Sequence, residues 1–469
     1  MSAAEAESLA GAAMGKAVTA LNTANQALAT VTGGVSVVSL ITGTGSAAVN
    51  TLALQTALNG RGHVVAKVPG GGVAYINATL SHPSDTHLEI APGTTLRLSG
   101  STNAPLIRNV NWNSTFYSVT ALTPAVDTTP PAPPHSHTVT ATCAGHTFAV
   151  DDYVLIKGDT TEQYVGVHKV TAVTATTFSF YVGSSGTLTA GAGTMTAARA
   201  DYNLMLSGGT LDFNGVVNGN TGLTNMAVIY NKVGRLKISN QEGINGRKYI
   251  YYLGNAYGYD LSGIRFNTNS DGIHLMGPVR NGAIRDISGS TGDDMIAYTA
   301  TNGGGYEVYD LPDNNGELIG LTVENVAAQK ALCGVAIYPG QGYVCRSVAI
   351  RNVTGGSQLD IFVKVATVAA TNASLVEAIT IDGLFGRCTL APVLIGNATD
   401  AGTIQLLSIR NVLLSSYIAK HYVEVKTGWT IRGVAFDSSV LKFDNSGGTN
   451  LAALQIEGTS VVSSVSFSR

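Results

Sequence analysis

The sequence predicts an all-β fold, a parallel β-helix in which successive coils stack into one long solenoid. Three observations predict it. Only 12% of the 469 residues are charged and 55 are glycine, a composition suited to strands joined by tight turns. Short alternating strands that end in Asn, Asp or Gly recur after residue 200, about 20 to 37 residues apart. No helix-length segment separates them, which excludes helical solenoids and doubly wound sheets; a β-propeller is the structural alternative, but no blade signature is found.

The N-terminal segment, residues 1–34, carries the only strong helical pattern. Its candidate seam residues follow coiled-coil spacing: Met14, Val18, Leu21, Asn25 and Leu28. We expect a short α-helix and linker that support oligomerisation, with an ordinary amphipathic helix as the alternative. No basic region followed by an apolar one is present, so no signal peptide is expected.

Residues 35–111 are expected to form the first coils of the β-helix. A short helix is predicted from Asn50 to Leu58, where it would cover the open apolar end of the solenoid. Three alternating strands separated by Pro/Gly turns follow: Val64–Val68, Val73–Leu80 and Leu88–Leu98.

The pattern of short strands separated by Pro/Gly turns is interrupted at residues 112–200. A proline-rich run and several alternating strands predict a small β-domain inserted between coils, a barrel or a sandwich. Whether it is carbohydrate-binding stays open, since a fold alone does not assign that role. Residues 201–469 are expected to form the main β-helix, with the active site and the C-terminal coils.

Charge and cysteine content exclude several classes of protein. The net charge is −3 and no basic run is present, so no nucleic acid is expected as a partner. The longest apolar stretches are too short to cross a membrane. The four cysteines form no close pair, which indicates buried apolar residues rather than a disulfide framework or a metal site.

One acidic motif carries the predicted chemistry. It runs from NTNSDGIHL to TGDDMIA, and its Asp271 and Asp293 are separated by about one coil. Because stacked coils are about 4.8 Å apart, Asp271 should lie beside Asp293 and Asp294. Crowded carboxylates raise the pKa of one of them, which gives the acid and carboxylate that glycoside hydrolysis needs. The alternative is that all three are turn residues.

This motif resembles the two central motifs of polygalacturonase-type glycoside hydrolases, N-T-D-G-I-H and G-D-D-C-I-A. The first coils likewise resemble those of pectin-lyase-like β-helices in bacteriophage tailspikes. The resemblance implies a right-handed parallel β-helix and hydrolysis with inversion. It assigns Asp293 as the general acid, with Asp271 and Asp294 activating water.

The same resemblance implies a tailspike depolymerase, an endo-acting hydrolase of a bacterial capsule, exopolysaccharide or O-antigen. Such a protein is a homotrimer in the virion, made in the host cytoplasm and joined to baseplate or tail proteins through its N-terminus. Ala336 and Tyr338 stand where the family has two cations, so a substrate other than polygalacturonate is expected, for example a neutral one. The His-Gly element of the family has no match.

Substrate contacts are expected from aromatic and polar residues near the motif, since tyrosine suits stacking on sugar rings. The candidates are His274, Tyr249, Tyr251, Tyr252, Tyr257, Glu307, Asp310 and Tyr338. No cofactor or metal is expected. Two rival functions stay open, a non-catalytic receptor-binding tail fibre and a polysaccharide lyase on the same scaffold.

Overall fold

The computed structural model describes most of the chain beyond its N-terminus. The described residues are 31–32, 34–126, 136–183, 187–218, 222–300, 311, 313–340, 342–367, 374–397, 400–414, 421–437, 442–443 and 452–468. The predicted helix and seam of residues 1–34 lie almost entirely outside them. Trimer formation through that segment therefore stays a prediction.

The described chain folds as a right-handed parallel β-helix, which confirms the predicted fold class. Each coil pairs in parallel with the next, so Val233 lies opposite Ala256 and Ala256 lies opposite Val279. The strands of the first coils are Val31–Thr32, Val35–Ser39, Gly62–Lys67, Gly72–Ile76, Leu80–His82, Thr86–Ile90, Thr94–Leu98 and Ile107–Asn109. Those of the central coils are Thr210–Asp212, Val228–Ser239, Glu242–Ile244, Tyr251–Asn267, Ile273–Ser290, Ile296–Thr299, Leu318–Tyr338 and Val344–Val365. Those of the last coils are Ser374–Gly386, Ala391–Ile395, Gly402–Leu414, His421–Val425, Trp429–Asp437, Lys442–Phe443, Ala452–Ile456, Val461–Val462 and Val465–Ser468.

A single α-helix, Ala47–Asn59, is found in the described residues, preceded by the 3₁₀ turn Thr44–Ser46. It includes the predicted segment from Asn50 to Leu58. Leu54 and Leu58 are fully buried in the main core, so the helix covers the end of the solenoid. A second 3₁₀ turn spans Gly222–Asn225.

Two predicted strands are each divided in the structure. Leu88–Leu98 becomes Thr86–Ile90 and Thr94–Leu98, because Gly93 adopts a φ of 75° and turns the chain between them. Val73–Leu80 likewise becomes Gly72–Ile76 and Leu80–His82. These breaks are the corners of the coils.

The residues between the first coils and the main solenoid form antiparallel strands with a separate apolar core. The strands are Tyr117–Val119, Ala121–Val126, Ser136–Thr142, Tyr153–Lys157, Gly166–Val173, Thr177–Gly183 and the start of Met195–Ser207. The last strand pairs antiparallel with Tyr153–Lys157 and then in parallel with the coils on either side. One continuous strand therefore joins this unit to the β-helix, although the boundaries at residues 112 and 200 stay a prediction.

The solenoid interior is filled by one continuous cluster of aliphatic and aromatic side chains. All four cysteines are buried and free, as the sequence predicted. Among the described residues, no helix has the length and apolar character needed to span a membrane.

Candidate active site

The acidic motif lies where two consecutive coils meet on the outer side of the solenoid. Ile273 pairs in parallel with Ile296, so Asp271 and Asp294, each two residues earlier, occupy equivalent positions. The amide of Gly272 donates to the Asp294 carbonyl, which continues this register. The structure therefore stacks Asp271 on Asp294, with Asp293 beside them.

Gly272 is required for this close approach of the two coils. A Cβ at this position would lie 2.6 Å from the Phe266 ring and 2.8 Å from the Met295 carbonyl oxygen. Contacts that short do not occur for real side chains, so a larger residue would push the coils apart. The D-G step of the motif therefore positions the first carboxylate.

Two of the three carboxylates are almost fully buried, whereas Asp293 is half-buried. Asp271 and Asp294 are each 3% exposed. Burial raises the pKa of Asp294 well above its ordinary value, and the charges of Asp271 and Asp293 raise it further. Burial likewise raises the pKa of Asp271, together with the charge of Asp293. These mutual effects place all three carboxylates within electrostatic range, and the pair Asp271–Asp294 retains a proton where an ordinary Asp has lost it.

His274, the second residue of strand Ile273–Ser290, holds the Asp271 carboxylate, which lies just before that strand. Its Nδ1 lies 2.8 Å from Asp271 Oδ2, and its Nε2 lies 3.4 Å from the hydroxyl of Thr299. The ring stacks on Tyr249 at a centroid distance of 4.1 Å. His274 faces outward as predicted but is only 3% exposed. Its position therefore orients Asp271 and does not present the ring to solvent.

The partners of Asp294 differ from those of Asp271. The Tyr338 hydroxyl donates to Asp294 Oδ2 at 3.3 Å. Oδ1 is buried and accepts no hydrogen bond of ordinary geometry within the described residues. The nearby thiol of Cys333, from the next coil of the same column, lowers the pKa of Asp294. Tyr338 and His274 are thus both predicted substrate residues that the structure places in contact with a predicted catalytic carboxylate.

Two lysines flank the carboxylates, Lys248 and Lys364, and sequence reasoning missed the second. Lys364 lies opposite Ala336 in the parallel register of the next coil, with its ammonium 5.8 Å from the centre of the Tyr338 ring. It lowers the pKa of Asp294, and Lys248 lowers the pKa of Asp271. Ala336 stands where the family has a cation, and in this structure a cation, Lys364, lies one coil beyond that position. Only the strand register would have revealed it.

The four tyrosines predicted to contact sugar are all buried in this structure, so they form no exposed stacking surface. Tyr251 is fully buried in the solenoid core, where its hydroxyl donates to Gln241 Oε1 at 2.7 Å. Tyr249 and Tyr252 do point outward, but they are 1% and 0% exposed and stack beside His274. Leu311 packs with them.

Tyr257 is covered by the antiparallel unit. It packs with Leu155 and Ala200, against Val165 and Val167. This packing joins the antiparallel unit to the β-helix. The Tyr257 hydroxyl is buried without a hydrogen-bond partner in the described part of the chain. Glu307 and Asp310 lie outside the described residues.

A surface groove begins beside the half-buried carboxylate. Thr291 and Gly292, which precede Asp293, line one end of a cavity of about 460 Å³. Lys330, Gln358, Asp360 and Thr389 line the rest with polar groups, along with Leu332. Solvent therefore reaches this side of the cluster.

The fold and the site together define a parallel β-helix with a stacked carboxylate cluster on its outer side. Solved structures similar to this chain include a Family 28 exopolygalacturonase of Yersinia enterocolitica, at 12% identity over 89% of this chain and 75% of that one, with a TM-score of 0.46. They also include a polygalacturonase from Erwinia carotovora ssp. carotovora, at 16% identity over 91% and 96% of the two chains, with a TM-score of 0.44. A third is the Gp54 tailspike of the Acinetobacter baumannii bacteriophage AP22, solved in complex with A. baumannii capsular saccharide. It is 10% identical over 82% of this chain and 76% of that one, with a TM-score of 0.33.

No protein-family model and no curated protein sequence matches the chain. The functional proposal below therefore depends on the residues of the site.

Proposed function

We propose that this protein is a tailspike depolymerase, which binds a bacterial surface polysaccharide and hydrolyses it within the chain with inversion of configuration. The observation that carries the proposal is the coupled carboxylate cluster, in which burial and mutual charge raise the pKa of both Asp271 and Asp294. Perturbed carboxylates beside a groove are the usual mark of acid–base catalysis. The capsule, exopolysaccharide or O-antigen of the host would be the substrate.

In the proposed reaction Asp293 protonates the glycosidic oxygen as its bond to the anomeric carbon breaks. A water molecule attacks that carbon from the opposite face, and its proton passes to the Asp271–Asp294 pair. Because the negative charges of the two carboxylates repel each other, the pair holds one proton. Its remaining ionised carboxylate acts as the base. Asp293 is the group of the three that substrate in the groove would reach.

His274 is a positioning residue in this scheme. Its bond to Asp271 Oδ2 fixes the carboxylate, and its stacking on Tyr249 fixes the ring. Lys248 and Lys364 lower the pKa of Asp271 and Asp294, and so help to keep one member of the pair ionised.

The test is incubation of the protein with purified surface polysaccharides of candidate hosts, followed by measurement of reducing ends. Asp293→Asn is expected to abolish their release while the circular dichroism spectrum is retained. Asp360→Asn, which changes a carboxylate of the same groove that does not belong to the cluster, is the matched control and should keep measurable activity. Unsaturated products absorbing in the ultraviolet would instead indicate a lyase.

A specific observation favours one other function. Asp271 and Asp294 are each only 3% exposed, which suits a structural carboxylate pair in a non-catalytic receptor-binding protein. That function predicts saturable binding of a host glycan without release of reducing ends. It also predicts that Asp293→Asn leaves the binding unchanged.

A further inference from the structure

A second cluster of polar side chains lies on the outer face of the first coils. His63 is in strand Gly62–Lys67, and His87 and Glu89 are in strand Thr86–Ile90. The two strands are parallel, with His63 opposite His87. His87 and Glu89 are two residues apart and therefore project from the same face. The strand register thus fixes all three side chains in one patch.

The three side chains lie in contact with one another. The imidazole rings are stacked, with their centroids 4.2 Å apart and their planes 7° from parallel. His63 Nε2 is 2.8 Å from Glu89 Oε2. One nitrogen or oxygen atom from each residue lies within 4.8 Å of the others. The His63 and Glu89 side chains are 31% and 34% exposed, so solvent ions can reach them.

We propose that His63, His87 and Glu89 bind a divalent transition-metal ion, for which Zn²⁺ fits best. Two imidazoles and one carboxylate form a common three-residue zinc donor set, with water as the fourth ligand. Oxygen-binding ions such as Mg²⁺ do not favour imidazole. Donor atoms around a tetrahedral zinc lie roughly 3.3 Å apart. The donor atoms already lie within 4.8 Å of one another, and binding would require the two stacked rings to turn until the ion lies in the plane of each.

The next coil provides support for the ligand ring of His87. The Ser207 hydroxyl oxygen lies 2.7 Å from His87 Nε2. A zinc-bound histidine usually donates its second N–H to such an oxygen, which would leave Nδ1 of His87 for the metal.

The charged neighbours of His87 act in both directions. Burial lowers the pKa of His87, His63 and Lys237 lower it further, and Glu89 raises it. The imidazole is therefore neutral near pH 7, the form that binds metal. Lys237 is the neighbouring cation that opposes an added positive ion, and Glu89 offsets it. A bound ion would join two adjacent coils beside the capping helix Ala47–Asn59.

The experiment is isothermal titration of the full, tag-free chain with ZnCl₂ after chelator treatment and dialysis. We expect one ion per chain, and His87→Gln and Glu89→Gln should each weaken binding by about tenfold or more. His146→Gln, a half-buried histidine of the antiparallel unit, is the control and should bind as the wild type does. MgCl₂ in excess should not compete.

Cobalt provides a second measurement that needs no variant. Co²⁺ bound to the wild-type chain should give the strong visible absorption of a four-coordinate site, and Zn²⁺ should remove it. The proposal is overturned if the wild type binds no stoichiometric Zn²⁺, or if Glu89→Gln binds it as tightly as the wild type. A weak, octahedral cobalt spectrum would overturn it equally.

Discussion

Replacing Asp294 with asparagine should stabilise the fold while it removes activity. Asp294 is 3% exposed, its Oδ1 accepts no hydrogen bond of ordinary geometry within the described residues, and two other carboxylates lie nearby. Asparagine has the same shape and keeps an oxygen for the Tyr338 hydroxyl. Its amide also donates hydrogen bonds, so a neighbouring carboxylate becomes a partner instead of a repelling charge.

The effect should depend on pH in a defined direction. Folding raises the pKa of Asp294, so the folded protein keeps a proton that the unfolded chain has lost. The stability is therefore fully present below the ordinary Asp pKa of about 4 and declines as the pH rises from there toward the folded-state pKa. An asparagine in its place does not titrate, so this dependence disappears. The Asp294→Asn variant should match the wild type near about pH 4 and exceed it most at about pH 8.

The expected size of the stabilisation by Asp294→Asn decides which assay can detect it. A buried acceptor that is left without an adequate hydrogen bond costs on the order of 2 kcal/mol, so a gain of that size is expected for Asp294→Asn. In a chain of this length, such a gain moves the melting temperature by only about 2 °C. If the site opens in the unfolding transition state, the same gain slows unfolding by roughly 30-fold. The half-life in denaturant at the two pH values is therefore the measurement.

Asp293→Asn is the comparison variant: Asp293 is half-buried and its charge raises the pKa of both buried carboxyls, so its substitution should stabilise the fold at about pH 8 in the same direction but by less than Asp294→Asn. Faster unfolding of the Asp294→Asn variant at about pH 8 would refute the reasoning. So would a gain of equal size at both pH values, since it would not come from the charge.

Three further predictions follow from other features of the fold. Lys364→Met removes a cation that lowers the pKa of Asp294. The limb of the pH–rate profile that reports the carboxylate pair should therefore move to higher pH, with less than about a tenfold loss of rate at the optimum. An unmoved profile would contradict this. Gly282→Ala would place a Cβ 1.8 Å from the Tyr259 ring and should cost about 3 kcal/mol in unfolding experiments, whereas Gly433→Ala, with its nearest atom 3.5 Å away, should cost less than about 0.5 kcal/mol. Equal losses would refute the packing argument. The seam of residues 1–34 predicts a homotrimer that attaches to the phage tail, and light scattering should give the mass of three chains; a monomer would end that prediction.

The coils were predictable because short local sequence patterns mark their turns. Helix Ala47–Asn59 and the strands after it are separated by Pro/Gly turns that can be read directly. The corner at Gly93 was missed, although Pro92 and Gly93 form such a turn, because apolar residues stand at even spacing on both sides of it. Alternation predicts which face a residue occupies within a strand, but it does not reveal a corner.

The carboxylate column was predictable, and much of its surroundings was not. Asp271 and Asp294 belong to consecutive coils without a long loop between them, so their spacing identifies them as neighbours. Lys364 lies two coils after Asp294, and the lengths of the intervening loops must be known before the two can be aligned. Tyr251 was misplaced because both Ile250 and Tyr251 enter the core, which breaks the alternation at a bend of the chain.

Loop length in this solenoid is independent of strand register, and this has a consequence for how the protein can change. Val279 pairs with Ala256 and with Leu318 in the same column, although the second partner is much further away in sequence. Additional residues leave the column at a corner and return to it in register. A lineage could therefore exchange whole corner loops while the stacked aspartates keep their mutual positions. Recombination between such genes would succeed most often when the crossover points lie inside the shared ladder.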